Sequence, residues 1–290
     1  MLRNNIFTVF FSCMIIVGCA SVSPENNVTV SEGIQGTKAQ YAVEQANIEY
    51  KAGNIDQALI GYVSALEFDG KNTEALYKIG LIQNSRGNYK QAEKAYRKLV
   101  NLDGQHLGAR EGLGLLLLRG NSFAEAKKHL EIVYALESHR WRTNNGLGVI
   151  ADQEQNFELA ENLYQAALKS QPNSPAILTN LGYSYYKAND LERAETYFFR
   201  AIKYDPKYQR AWSNLGLMYA KQKQYNKSIK AFEKVMNTAN AVNNVGYICM
   251  EDGNYVLAQN YFKEAIRLSS THFPEANNNL KEVRRRAALE

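Results

Sequence analysis

A period of 34 residues runs through most of the chain and limits the possible folds more than any other feature of the sequence. Glycine recurs at this spacing, in a column formed by Gly80, Gly114, Gly148, Gly182 and Gly216. Twelve residues after each of these places, a second column holds small side chains: Ala58, Ala92, Ala126, Ala160, Ala194 and Ser228. A third column is aromatic or leucine: Tyr62, Tyr96, Leu130, Tyr164, Phe198 and Phe232. Three columns in register indicate an array of one repeated structural unit.

The small columns indicate helical hairpins, because small side chains allow two helices to approach closely and large ones push them apart. Within one hairpin we expect Gly182 and Ala194 to face each other. A seventh copy carries Gly246, Ala258 and Phe262, so the repeats are predicted to cover residues 39–272. The predicted fold class is all-α, a solenoid of about seven helix–turn–helix repeats.

The turn inside each hairpin is predicted from a further column. This position holds Gly or Asn in five copies, namely Gly53, Gly87, Asn121, Asn189 and Gly253. Both residue types accept a left-handed backbone at the end of a helix. Gln155 and Lys223 occupy the position in the other two copies, and we expect mild backbone strain there.

These columns resemble the tetratricopeptide repeat. Two copies carry the likeness most clearly: Trp212-Ser-Asn-Leu215-Gly216-x-x-Tyr219 and Leu181-Gly182-x-x-Tyr185. The resemblance implies a right-handed solenoid whose first helices line a concave, peptide-binding groove. Residues 273–290 are predicted to form a capping helix that starts at Pro274 and turns Leu280 and Val283 toward the last repeat, since the ends of a solenoid expose apolar surface.

One step of the array is short. Gly216 and Gly246 are 30 residues apart, and the missing four residues fall within 235–242. Four residues correspond to about one helical turn. We expect a shorter second helix in repeat six and an altered docking angle for repeat seven. The alternative is a deletion absorbed in a loop.

The N-terminus has the features of an export signal. Residues 1–18 contain Arg3 and then an uncharged, mostly apolar run over 6–17, which is shorter than the ~20 residues of a membrane-spanning helix. The segment ends at Gly18 and is followed by Cys19 and Ala20, an arrangement that resembles the lipobox of bacterial lipoproteins. The resemblance implies lipidation of Cys19, cleavage before it and sorting to the outer membrane, most simply facing the periplasm. Residues 19–38 are then predicted to be the lipidated N-terminus and a flexible tether.

No residue pattern indicates catalysis. The composition, 45% hydrophobic and 22% charged, excludes global disorder, and the net charge of +5, which we take to be spread along the chain, does not indicate nucleic acid. The four histidines lack metal-ligand spacing, and Cys249 is predicted to be a buried small hydrophobe. We therefore expect no enzyme activity, cofactor, metal or small-molecule substrate.

What remains is a binding surface. By repeat position, the groove that the resemblance implies includes these residues: Tyr77, Leu81, Leu115, Leu118, Val149, Asn180, Tyr183, Tyr186, Asn214, Leu217, Asn244, Tyr247 and Met250. Asn180, Asn214 and Asn244 precede the Leu-Gly or Val-Gly pair in three consecutive copies. An amide has donors and an acceptor, so a ladder of amides can hold a peptide backbone. The alternative is that these amides brace neighbouring helices.

Three segments are similar to the family of Flp pilus assembly proteins TadD, of the tight-adherence (Tad) secretion apparatus. They start at Asn145-Gly-Leu-Gly, Ile177-Leu-Thr-Asn and Asn243-Asn-Val-Gly. The likeness implies an outer-membrane adaptor whose partners are a secretin or pilus assembly components. The alternative relatives are type IV pilus pilotins such as PilF and NlpI-like scaffolds for peptidoglycan hydrolases.

Overall fold

The computed structural model describes the backbone of residues 24–289 and the side chains from Gly36 onward. Within these residues the chain forms fifteen α-helices and no strand, which confirms the predicted all-α class and the seven hairpins with a final helix. The helices are α1 (Pro24–Lys51), α2 (Ile55–Phe68), α3 (Thr73–Ser85), α4 (Tyr89–Leu102), α5 (Leu107–Arg119), α6 (Phe123–Leu136), α7 (Trp141–Gln153), α8 (Phe157–Ser170), α9 (Pro175–Lys187), α10 (Leu191–Tyr204), α11 (Gln209–Lys221), α12 (Tyr225–Phe232), α13 (Thr238–Glu251), α14 (Tyr255–Leu268) and α15 (Pro274–Ala287).

The chain divides into two compact units, one ending at Ile82 and the other beginning at Gln83. In the first unit, α1 and α2 form a hairpin closed by small residues. A Cβ atom added to Gly61 would lie 2.8 Å from the Cβ of Ala46. The Tyr62 hydroxyl donates a hydrogen bond to Asn47 Oδ1 at 2.7 Å, which satisfies the polar end of a buried ring.

The start of α1 corrects the predicted tether. Residues 24–38 belong to this helix, whereas the sequence predicted a flexible segment as far as residue 38. Among the residues whose side chains are described, 36–38 are exposed and Ala39 is the first that is buried. A helix that is already nucleated by packing extends at little cost, and proline is tolerated in a first turn. Residues 1–23, with the predicted signal and Cys19, lie outside the described residues.

In the second unit, each hairpin closes where a glycine of the first helix meets a large side chain of the second. A Cβ atom on these glycines would lie 2.6–2.9 Å from the side chain sixteen residues further on. The pairs are Gly114 with Leu130, Gly148 with Tyr164, Gly182 with Phe198, Gly216 with Phe232 and Gly246 with Phe262. The prediction for Gly182 was therefore incomplete, because its nearest neighbour is the Phe198 ring and only the carbonyl oxygen of Ala194 follows, at 3.3 Å.

The hairpin turns confirm the predicted backbone. Among the described residues, seven have a positive φ between 59° and 84°, and they are the seven residues of the turn column. Gln155 and Lys223 lie at 60° and 59°, although both carry a Cβ atom. These two positions are strained, because a left-handed backbone brings Cβ close to the following carbonyl oxygen.

Repeat six has the predicted short second helix. Helix α12 contains 8 residues, whereas the other second helices contain 14. The chain turns at 233–235, and Asn237 then caps α13 by accepting a hydrogen bond from the backbone N–H of Asn240 at 2.8 Å. The altered docking angle of repeat seven stays a prediction.

The final helix packs as the sequence predicted. Leu280 and Val283 of α15 are buried in one cluster with Phe262 of α14 and Cys249 of α13. The Cys249 thiol is fully buried, and this burial raises its pKa. On the outer side of α15, Arg286 pairs with Glu251 of α13 at 2.9 Å. The helix thus covers the apolar end of repeat seven.

Candidate functional site

The candidate site is the surface formed by exposed side chains of the first helices α9, α11 and α13, which we call the first-helix face. Each helix presents an apolar residue directly after its glycine: Tyr183, Leu217 and Tyr247. Their exposed fractions are 39%, 37% and 48%. A group of exposed apolar side chains on one surface indicates a candidate contact surface.

Asn180 has a structural role in this face. Its side chain is only 8% exposed. Its amide donates to Asn145 Oδ1 of α7 at 2.9 Å and accepts from Arg210 Nη2 of α11 at 3.1 Å. The side chain therefore links three successive first helices, which is the bracing alternative that the sequence left open.

Asn214 and Asn244 differ from Asn180. Both are half-buried. Among the described residues, no side chain or backbone group hydrogen-bonds to the Asn214 amide. Asn244 makes only a weak contact, from its Nδ2 to the Met236 sulfur at 3.3 Å. Both amides can thus pair with a ligand without giving up a strong internal hydrogen bond.

Tyr186 extends the face beside Tyr183. The centroids of the two rings are 5.9 Å apart, and the Lys221 ammonium lies 5.0 Å from the Tyr186 centroid. Burial raises the pKa of Tyr186, with smaller contributions from Tyr183 and Asp252. The two rings therefore form an aromatic surface with the Lys221 side chain at its edge.

The C-terminal end of the face contains a site residue that the sequence reasoning missed. Asn279 of α15 donates to Asn243 Oδ1 at 3.1 Å, in an open cavity of about 650 Å³. The cavity is lined by Met236, Asn240, Asn243, Asn244, Tyr247, Glu275, Asn278 and Asn279. The signal was present, because Asn279-Leu280 repeats the Asn180-Leu181 and Asn214-Leu215 pairs, one unit beyond Asn244-Val245. It was overlooked because Lys281 replaces the glycine that marks the other copies.

The other predicted groove residues are less exposed than Tyr183, Leu217 and Tyr247. Met250 is 2% exposed and belongs to the core cluster with Phe262, so its assignment to the groove was wrong. Leu115, Leu118 and Val149 are half-buried, and a Cβ atom on Gly146 would touch both leucines. Tyr77 and Leu81, also half-buried, belong to the first compact unit.

A buried polar cluster supports the N-terminal side of the face. The Asp152 carboxylate accepts hydrogen bonds from the Tyr164 hydroxyl at 2.8 Å and from the Ser184 hydroxyl at 2.5 Å. Burial raises the pKa of Asp152, and the two hydrogen bonds partly oppose that shift. Lys187 donates to the backbone carbonyl of Asp152 at 2.6 Å. The cluster fixes α7, α8 and α9 relative to one another.

The described part of the chain was also compared with the requirements of a metal site and of a membrane-spanning helix. No group of three or more His, Cys, Asp or Glu side chains converges there in a way that could hold a metal ion. His106 caps α5 by accepting from the Ala109 N–H at 3.1 Å. None of the described helices combines the length and apolarity needed to cross a bilayer.

Sequence comparison gives matches along most of the array. Two family profiles, both described as tetratricopeptide repeat, match residues 111–175 and 179–241 in one case and 73–106 and 239–272 in the other. Together they cover about two thirds of the 290 residues. No curated protein sequence matches the chain significantly.

Solved structures agree with the fold. A tetratricopeptide repeat protein from Parabacteroides merdae is similar with a TM-score of 0.61 and 16% identity, over 86% of this chain and 99% of that one. Pseudomonas aeruginosa PilF has a TM-score of 0.53 at 18% identity, over 72% and 97%. YrrB, described as having an unusual peptide-binding site, has a TM-score of 0.52 at 20% identity, over 64% and 94%.

Proposed function

Because the chain belongs to the tetratricopeptide repeat family, we propose that it is a non-enzymatic adaptor of the outer membrane that serves in the assembly of a Tad pilus secretion system. Repeats of this fold are typically protein-interaction scaffolds. The observation that carries the proposal is the exposed row Tyr183, Leu217 and Tyr247 together with the amides of Asn214 and Asn244. Apolar contact and available hydrogen-bonding groups on one face suit a protein ligand.

The chemistry of the face suits an extended peptide. Asn214 and Asn244 offer donors and acceptors to a peptide backbone, while the apolar row offers contact for side chains of the ligand. Around Tyr247 the cavity lined by asparagines has room for a chain to enter or end. Asn180 takes no part in this contact, because its amide is used within the array.

Anchoring rests on the sequence around Cys19. Gly18-Cys19-Ala20 at the end of the apolar run supports lipidation there, and several acyl methylenes at ~0.8 kcal/mol each would hold the protein at the membrane. The helical segment from Pro24 to Lys38 then separates the anchor from the repeats. The partner class, a secretin or pilus assembly component, follows from the TadD-like segments. A PilF-like pilotin or an NlpI-like hydrolase scaffold is the alternative.

Photo-crosslinking in living cells tests the function. A photoreactive amino acid at Leu217 or Tyr247 is expected to capture a secretin or a pilus assembly protein, because both side chains lie on the proposed contact face. Tyr134 and Val256 are matched control positions, since they are exposed but lie on second helices. Cys19→Ser in the same cells should release the protein from the membrane fraction and abolish the crosslink.

The products distinguish the candidates. A peptidoglycan hydrolase as the main product would replace the pilus role with the hydrolase scaffold. Equal capture from Tyr134 and Val256 would contradict the first-helix face as the binding surface. Membrane retention of the processed Cys19→Ser protein after a high-salt wash would contradict the lipid anchor.

A further inference from the structure

The net charge of the chain comes from one stretch. Residues 200–234 contain nine Lys or Arg but two Asp or Glu, a net charge of +7, whereas the rest of the chain has a net charge of −2. The expectation that the charge is spread along the sequence was therefore wrong. Most of the stretch forms α11 and the short helix α12 of repeat six.

Three lysines of this stretch surround an apolar crevice between α10, α11 and α12. The crevice has a volume of about 180 Å³ and is lined by Phe199, Trp212, Leu215, Tyr219 and Ala231, with Lys227, Lys230 and Lys234 at its rim. Phe199 is 44% exposed. The Trp212 indole N–H donates to the carbonyl oxygen of Pro206 at 2.9 Å, which fixes the ring. The crevice thus has rigid aromatic walls that are open to solvent.

Two of the three lysines lie over aromatic rings. Lys227 Nζ lies 5.3 Å from the Tyr219 ring centroid, and Lys234 Nζ lies 5.9 Å from that of Trp212. No salt bridge joins these three lysines to a carboxylate of the described residues. The nearby Glu195 carboxylate is occupied by the Tyr219 hydroxyl at 2.5 Å. The rim therefore carries three charges that are available to an anionic ligand.

The equivalent crevice of repeat four shows that this charge is not a property of the fold. That crevice, of about 150 Å³, is lined by Leu147, Ala151, Leu159 and Leu163. Leu159 holds the place of Lys227, and the Lys127 ammonium is paired with Glu154 at 2.8 Å. Glu131 also lines this crevice, so its lining contains one lysine and two glutamates, whereas that of repeat six contains three lysines and no acidic residue.

We propose that the repeat-six crevice binds an acidic peptide segment of a partner protein, with one bulky apolar side chain of that segment inserted between Phe199, Trp212 and Tyr219. Carboxylates flanking the inserted side chain would pair with the three lysines. A peptide side chain fits better than a flat membrane surface, because Leu215 and Tyr219, at 1% and 7% exposed, can be reached only by a group that enters the crevice. The site is independent of the proposed pilus role.

The crevice and the first-helix face use opposite sides of α11. At 3.6 residues per turn, Trp212, Leu215 and Tyr219 share one side, while Asn214 and Leu217 point roughly the other way. Two segments, from one partner or from two, can therefore bind at once. This makes repeat six the junction of two binding surfaces.

Trp212 fluorescence provides a direct readout. Trp141→Phe leaves Trp212 as the single tryptophan of the chain. The probe is a synthetic peptide with one central Leu flanked by three Glu on each side. We expect the peptide to cause a saturable change in Trp212 emission and to bind more weakly at high salt. Binding should be about tenfold weaker when Lys227, Lys230 and Lys234 are all changed to Gln. A probe with Ser in place of Leu should bind poorly.

The matched control changes the same charge elsewhere. Lys90, Lys94 and Lys98 are exposed on α4, and their triple change to Gln should leave the affinity nearly unchanged. Equal weakening by both triple variants would show that only the net charge matters and would overturn the site. Equal binding of the Ser probe, or no binding at millimolar peptide, would overturn it as well. Phosphatidylglycerol vesicles test the alternative that the patch binds a membrane surface. Lysine-dependent sedimentation with them, without peptide binding, would assign the patch to a membrane surface instead.

Discussion

At the scale of single residues, the positive-φ positions of the hairpin turns allow the energetic cost of backbone strain to be measured apart from side-chain packing. Lys223 holds a left-handed backbone with φ of 59°, where five of the other repeats use Gly or Asn. Lys223→Gly is expected to raise the free energy of unfolding by about 1 kcal/mol. A left-handed backbone costs an L-residue ~1–2 kcal/mol, and the larger chain entropy that glycine loses on folding offsets part of the gain. Urea denaturation of the two proteins measures the difference.

Gly253 gives the opposite control at the same repeat position. Its φ is +76°, and no heavy atom lies within 4 Å of an added Cβ atom, so Gly253→Ala introduces strain without a steric clash. This variant should lose about 1 kcal/mol. If Lys223→Gly destabilises the protein or Gly253→Ala leaves it unchanged, backbone strain does not govern these turns.

The same scale shows what one sequence can reveal about a site. The left-handed turns and the buried Cys249 follow from residue type and repeat position, and both predictions are confirmed. The bonding of Asn180 could not be predicted, because it depends on Asn145 and Arg210, which lie 35 and 30 residues away on other helices. Repeat position identifies a face, but it does not tell whether an amide on that face is already paired.

At the scale of helices, each hairpin depends on the contact between its glycine and the ring of the second helix. Gly182→Leu would place side-chain atoms where the Phe198 ring lies, 2.8 Å from an added Cβ atom. Such overpacking typically costs 1–3 kcal/mol. Hydrogen exchange should therefore accelerate first in α9 and α10 and next in the adjoining α8 and α11, because repeats couple to their neighbours.

Two observations check this expectation. Gly36→Leu serves as a control, since nothing lies within 4 Å of that glycine, and it should leave exchange in α9 and α10 unchanged. Uniform acceleration from α4 to α15 in the Gly182→Leu protein would show global rather than nearest-neighbour cooperativity and would contradict the packing account.

The helix boundaries agree with the sequence prediction where turn residues or the repeat spacing define them. The short α12 was predicted from the 30-residue step between Gly216 and Gly246. The start of α1 was not, because residues 24–38 show no apolar period, although they continue the helix that contains the buried Ala39. Prediction from periodicity depends on an amphipathic pattern, so a helical segment whose sequence lacks that pattern is not recognised.

At the scale of the whole molecule, the proposed binding function depends on which repeats expose apolar side chains or unbalanced charge. Repeats five to seven present Tyr183, Leu217 and Tyr247, and repeat six adds the lysines around its crevice. In the equivalent crevice of repeat four, Lys127 and Glu154 neutralise each other. The repeated fold is thus a common scaffold, and the C-terminal repeats of the second unit carry the features that suit partners.

The central claim is that Asn214 and Asn244 bind a ligand whereas Asn180 holds the array together. The most direct test measures thermal melting and capture of the crosslinked partner side by side. Asn214→Ala with Asn244→Ala should leave the melting temperature nearly unchanged and weaken capture by roughly 0.5–1.5 kcal/mol for each lost hydrogen bond. Asn180→Ala should instead lower the melting temperature, because it removes the bonds to Asn145 and Arg210. A lower melting temperature with unchanged capture in the double variant would contradict the account.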